Sequence, residues 1–198
     1  MRFTKHLAGT LIMILLLSAN VSAEKKSGAV TVAAGLSAPI GPSTMTSHFG
    51  IGPNLGFGMG FEVAKYLELE PRIYFSSFPH EDDESLKAFE IGADLKIYTQ
   101  ERGVERLSAY FIAGTGLSYL SYSSGKDLWG SDYNEISKTG SSSSLGANIG
   151  FGIEHPIRPG YGFFIDIRYA MDFTEYDVMS YIPVRIGLRF TKRTLPGH

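Results

Sequence analysis

The sequence of 198 residues contains no cysteine. That excludes disulfides, a lipid-modified cysteine behind a leader, and thiolate metal sites. The fold must be held by hydrogen bonds and packing alone. Long apolar runs are also missing. The longest, Leu11 to Leu17, falls short of the roughly 18 residues that mark a membrane-crossing helix. There is no basic excess either, since 18 Lys and Arg face 20 Asp and Glu. A nucleic-acid surface is therefore not expected. Catalytic signatures are absent too: no Gly-x-Ser-x-Gly elbow, no His-Glu-x-x-His pair, no phosphate-binding glycine loop. The sequence predicts no cofactor, no metal and no catalytic residue.

The one apolar run has a reading of its own. Arg2, Lys5 and His6 precede it, and Val21-Ser22-Ala23 follows as a small-residue cleavage signature. Basic start, short apolar core and small residues together predict an export signal over 1–23. An uncleaved anchor is the competing reading. The rest, 24–198, suits a single domain. Without Arg2 and Lys5, 16 basic residues face 20 acidic ones, and the formal charge moves from −2 to −4.

What the sequence does have is alternation. From Tyr161, every second residue is large and apolar: Phe163, Ile165, Ile167, Tyr169, Met171, Phe173. Between them lie Gly162, Phe164, Asp166, Arg168, Ala170 and Asp172. The pattern resumes at Ile182, Val184, Ile186, Leu188 and Phe190. Period-two alternation predicts strands with two unlike faces. Each run is close to the roughly 9–11 residues of a tilted membrane-crossing strand. Read the same way, the earlier chain predicts strands near 29–39, 51–65, 67–77, 87–99, 107–122 and 144–154. Loops are expected at 40–50, 79–86, 100–106, 123–143 and 155–160. Eight strands result, and the connections after the odd-numbered ones are mostly the longer. That layout suits an all-β, eight-stranded, antiparallel up-and-down transmembrane barrel. A mean hydropathy of zero fits such a barrel, because its two faces average out.

Alternation alone does not say which face points inward. In a soluble barrel the apolar face would line the interior. Three features favour the reverse. The apolar set is bulky nearly everywhere, whereas the interior of a barrel this size has room only for its own side chains. The polar set is rich in glycine at Gly56, Gly58, Gly60, Gly146, Gly150 and Gly152. It also carries both signs of charge: Glu62, Glu68, Glu70, Glu90, Asp94, Glu154, Asp166 and Asp172 beside Arg72, Lys96, Arg168, Arg185 and Arg189. The network expected in the lumen is Glu62, Arg72, Glu90, Asp94, Lys96, Glu154, Asp166, Arg168, Arg185 and Arg189. If the last hairpin is symmetric about its loop, Phe173 faces Ile182 and Asp166 faces Arg189.

Several stretches carry a resemblance: the leader, the Gly56-Phe57-Gly58 and Gly150-Phe151-Gly152 runs, Phe163-Phe164-Ile165-Asp166-Ile167-Arg168-Tyr169, and the strand Ile182 to Phe190. Together they resemble the outer-membrane β-barrel family of small porin-like proteins, OmpA/OmpX-type in architecture. The resemblance covers essentially all of 24–198. It implies an outer-membrane location, a lipid bilayer as surroundings, and a final strand, ending near Phe190, read by the assembly machinery. Thr191 to His198 extends past that strand. The function implied is structural or surface-interacting, with an unidentified surface partner. Small-solute passage is the alternative, and a lipid-modifying enzyme a third reading. Enzymes resembling lipid A deacylases carry His and Ser two apart; here Gly50, Asp82 and Ile157 follow His48, His80 and His155 at that spacing. His80-Glu81-Asp82-Asp83-Glu84 reads as a solvated loop that could also hold a divalent cation. Trp129 and Tyr133, in the longest loop, are candidate contacts for a partner; folding back over the barrel rim is the competing reading.

Overall fold

The computed structural model describes residues 28–80, 85–100, 107–123, 139–174 and 177–191. Eight strands form one closed sheet: β1 (Gly28–Gly41), β2 (Gly52–Ala64), β3 (Leu67–Pro79), β4 (Ser85–Tyr98), β5 (Ser108–Ser123), β6 (Thr139–Arg158), β7 (Tyr161–Phe173) and β8 (Val178–Thr191). Each strand pairs antiparallel with the next, and β1 pairs with β8 from Ala29↔Thr191 to Gly41↔Ser180. Among the described residues no helix is long and apolar enough to cross a membrane. Because the sheet closes, no strand is left with a bare edge of backbone donors and acceptors.

The apolar set faces outward. Val32, Phe57, Ile91, Phe111, Ile149, Phe151 and Ile186 are all exposed. The charged set turns inward, with Glu68, Glu70, Arg72, Glu90, Asp94, Lys96, Asp166, Arg168, Asp172, Arg185 and Arg189 buried. Glycine makes room for these long side chains. A methyl group on Gly56 would sit 2.9 Å from the Tyr74 ring, and one on Gly58 would sit 2.7 Å from Thr31 Oγ1. The glycine-rich strand thus yields its interior volume to its neighbours.

The structure differs from the sequence reading in four places. β6 is longer than the expected 144–154, running from Thr139 to Arg158 into both stretches read as loops at 123–143 and 155–160. The stretch read as a loop at 40–50 contains a short helix, α1 (Ser43–His48). It forms because Met45 and Phe49 bury themselves over the barrel mouth. The interior at that mouth is apolar rather than polar: Met45, Phe49, Phe78, Leu86, Ala88, Leu120, Ala170, Met179 and Tyr181 make one buried cluster. The strand members of this cluster stand on the same parity as the charges below them. Finally, the last hairpin is tighter than the symmetric reading. Phe173 pairs with Val178, because Thr174 and Asp177 close a turn: Thr174 Oγ1 donates to the Asp177 carbonyl at 2.6 Å, and the Asp177 N–H donates back to Thr174 Oγ1 at 3.1 Å. Asp166 therefore faces Arg185, not Arg189, while Arg189 faces Gly162. The expected leader (1–23), the acidic residues 81–84, Trp129, Tyr133 and the extension after Thr191 lie outside the described residues.

Candidate functional site

The barrel interior concentrates the polar chemistry. Lumen-facing positions on β3, β4, β7 and β8 lie at matching heights, so long side chains meet across the axis. One chain of charges starts at Glu90. Arg72 joins it to Asp94: Nη2 reaches Glu90 Oε1 at 2.7 Å and Nε reaches Asp94 Oδ1 at 2.6 Å. Arg168 binds the other oxygen of Asp94 through Nη1 and reaches Asp166 Oδ2 through Nη2 at 3.2 Å. Arg185 closes the chain with a two-pronged grip on Asp166, both bonds at 2.9 Å. Three acids and three guanidinium groups alternate, so this chain is neutral. The Tyr74 ring lies against all three guanidinium groups, with centroid distances of 4.3 Å to Arg72, 5.0 Å to Arg168 and 4.0 Å to Arg185. Its hydroxyl donates to Asp94 Oδ2 at 3.0 Å.

A second group lies nearer the short turns. Lys96 Nζ is 2.7 Å from Glu70 Oε2 and 3.9 Å from Glu68 Oε1. Arg189 grips Glu68, with Nη1 to Oε1 at 3.0 Å, and its Nε lies 3.5 Å from Glu154 Oε1. Thr31 Oγ1 donates to Glu70 Oε2 at 3.1 Å. Beside this group, Tyr98, Tyr110 and Ile112 form a small buried apolar cluster.

Of the network expected from sequence, Arg72, Glu90, Asp94, Lys96, Asp166, Arg168, Arg185 and Arg189 stand together in these two groups. Glu154 joins at the edge, its side chain 20% exposed. Glu62 is only half-buried, near the short turn after β2. Phe190 lies at the end of β8 with its ring 5.6 Å from that of Tyr161. The sequence reading missed Tyr74 as the platform under three arginines. It also missed the apolar cluster at the mouth, although extending the same parity through Phe78, Leu86 and Tyr181 would have placed those residues inside. His48 and His80 stack outside the barrel at 5.8 Å. Among the described residues no group of three His, Cys, Asp or Glu side chains could hold a metal ion.

The Asp166–Arg185 pair gives a clean cycle. Arg185→Leu leaves Asp166 with Arg168 alone and should cost about 3–5 kcal/mol, because a buried charge loses its main partner. Adding Asp166→Leu should recover part of that loss. Urea unfolding from liposomes measures both; strictly additive losses would contradict the pairing.

The sequence model of the outer membrane protein beta-barrel domain matches residues 9–190. No curated protein matches the sequence. Solved structures do. Neisserial surface protein A (NspA) is 16% identical, with a TM-score of 0.59 over 83% of this chain and 96% of that one. Ail, the attachment invasion locus protein of Yersinia pestis, is 15% identical, with a TM-score of 0.52 over 84% and 100%. A major outer membrane protein from Thermus thermophilus is 13% identical, with a TM-score of 0.53 over 85% and 100%. At these identities the likeness is one of fold.

Proposed function

The chain belongs to the outer membrane protein beta-barrel domain family, and from that premise we propose that it is a closed barrel with a structural or surface-interaction role, not a channel. The barrel sits in the lipid bilayer of the outer membrane with Val32, Phe57, Ile149 and Ile186 toward the acyl chains. The observation that carries the reading is the interior. Two charge groups occupy the middle, and the buried cluster from Met45 to Tyr181 stacks over them at the mouth. A barrel of eight strands has little interior beyond its own side chains. Function then falls to the connections at the end where β1 meets β2, β3 meets β4, β5 meets β6 and β7 meets β8. Trp129 and Tyr133 lie in one of them. Two similar structures, a neisserial surface protein and an attachment protein, are consistent with a surface role. Export by a cleaved leader and recognition of the last strand near Phe190 by the assembly machinery complete the proposal.

The test is conductance in planar bilayers. The folded barrel should show no sustained unitary conductance, and liposomes carrying it should not swell in small sugars. Sustained conductance would move the protein to small-solute passage. Orientation is read in the same cells. The natural chain has no cysteine, so Trp129→Cys should react with an impermeant maleimide on intact cells, while Tyr66→Cys should react only after the membrane is opened. The reverse pattern would remove the surface role.

A further inference from the structure

One buried carboxylate stands apart from both charge groups. Asp172 is 1% exposed and has no ion pair among the described residues. Its Oδ2 has no hydrogen-bond partner. Three other features converge on it. Glu90 Oε1 and Asp172 Oδ1 both lie in front of Gly146, 3.2 Å and 2.9 Å from where a methyl group would stand. Ser118 pairs with Glu90 on one side and Ser144 on the other, and Gly146 pairs with Asp172. The Ser144 hydroxyl, in a residue 7% exposed, has no partner either. Ser118 and Tyr181 both face the Asp172 carboxyl. The place is thus lined by oxygen: two carboxylates, the hydroxyls of Ser118 and Ser144, and the gap that glycine leaves.

We propose that this site, formed by Glu90, Ser118, Ser144 and Asp172, binds a small alkali cation of sodium or potassium size. Oxygen donors select hard cations. The charge present sets the valence. Glu90 is already neutralised by Arg72, which also holds Asp94, and Arg72 Nη1 is buried nearby without a partner. That leaves one negative charge, on Asp172, and a guanidinium close enough to disfavour a doubly charged ion. A cation here removes the cost of an unpaired buried carboxylate and engages both serine hydroxyls. It also ties β4, β5, β6 and β7 together beside the apolar mouth.

The experiment compares the full-length barrel folded from the start in sodium, potassium or N-methylglucamine chloride at equal ionic strength, in phosphocholine vesicles. An ion that binds only the folded barrel raises its unfolding midpoint. Sodium or potassium should raise the midpoint by about 2–4 °C over N-methylglucamine. Asp172→Asn keeps the shape and removes the charge, and should abolish that difference. Should Asp172→Asn fail to fold, the Ser118→Ala, Ser144→Ala double variant decides, since it removes oxygens without touching charge and should shrink the difference. Equal midpoints for the natural chain in all three salts would mean that a proton or ordered water fills the site, and would overturn the proposal. So would an undiminished difference in either variant.

Discussion

Replacing Asp94 with leucine is expected to cost more stability than any other single change in the barrel. Asp94 is fully buried and serves four donors. Arg72 Nε and Asn148 Nδ2 reach its Oδ1 at 2.6 and 3.2 Å. Tyr74 donates to Oδ2 at 3.0 Å, and Arg168 binds the same oxygen through Nη1. Asp94 is thus the joint at which two arginines from different strands meet. Breaking one buried pair costs about 3–5 kcal/mol, because the surviving charge is stranded. Here two guanidinium groups lose a partner at once, so the loss should reach the top of that range. Asp94→Asn keeps the shape and the acceptor Oδ1 and should fall between. Folding free energy in liposomes from urea titration measures the series. A loss under about 1 kcal/mol for Asp94→Leu would mean that water solvates the interior freely, and the lumen would then be open.

The second large effect is expected on the outer surface. Ile186 lies near the middle of β8, 54% exposed, opposite Ile165 on β7 and Ala34 on β1. An arginine there would stand among acyl chains. The penalty for a cation at the midplane of such a barrel is about 2–4 kcal/mol, falling to about 0–1 near the interfaces. Ile186→Arg should therefore cost several times what Phe190→Arg costs, since Phe190 lies at the strand end. Ile186→Leu should change little, because lipid adapts to apolar shape. Equal penalties for arginine at 186 and 190 would contradict a strand crossing the bilayer at this depth.

The strands were legible because their pattern is local. Alternation over Tyr161 to Phe173 needs no knowledge of neighbours, and β7 has those bounds. Register was less legible. It depends on where a turn tightens, and the turn at Thr174 and Asp177 rests on side chain to backbone bonds that only the folded geometry reveals. The symmetric reading stopped at Ile182 because Val178-Met179-Ser180-Tyr181 looks irregular. In the barrel it is regular: Met179 and Tyr181 point inward, where the interior has become apolar. A two-letter code of apolar out and polar in breaks at that height, so it misassigned the mouth. The same limit hid Tyr74. A tyrosine among charged positions is unremarkable in sequence, and two of the three guanidinium groups it touches, those of Arg168 and Arg185, come from β7 and β8, far along the chain from Tyr74.

The seam between β1 and β8 has a consequence for how the barrel forms. Ala29 meets Thr191, and Glu68 receives Arg189 across 121 positions. Contacts so distant along the chain form slowly, because the entropy of a long loop is lost before any bond is gained. Until β8 arrives, β1 and β7 each present a bare row of backbone donors and acceptors, which hydrocarbon does not tolerate. At the same stage Asp166 and Glu68 lack Arg185 and Arg189. Sheet closure and charge pairing are therefore completed by a single arrival, and a half-assembled barrel has no resting place inside the bilayer. Insertion is expected to be concerted, with partly paired sheets waiting at the membrane surface until the last strand seals them.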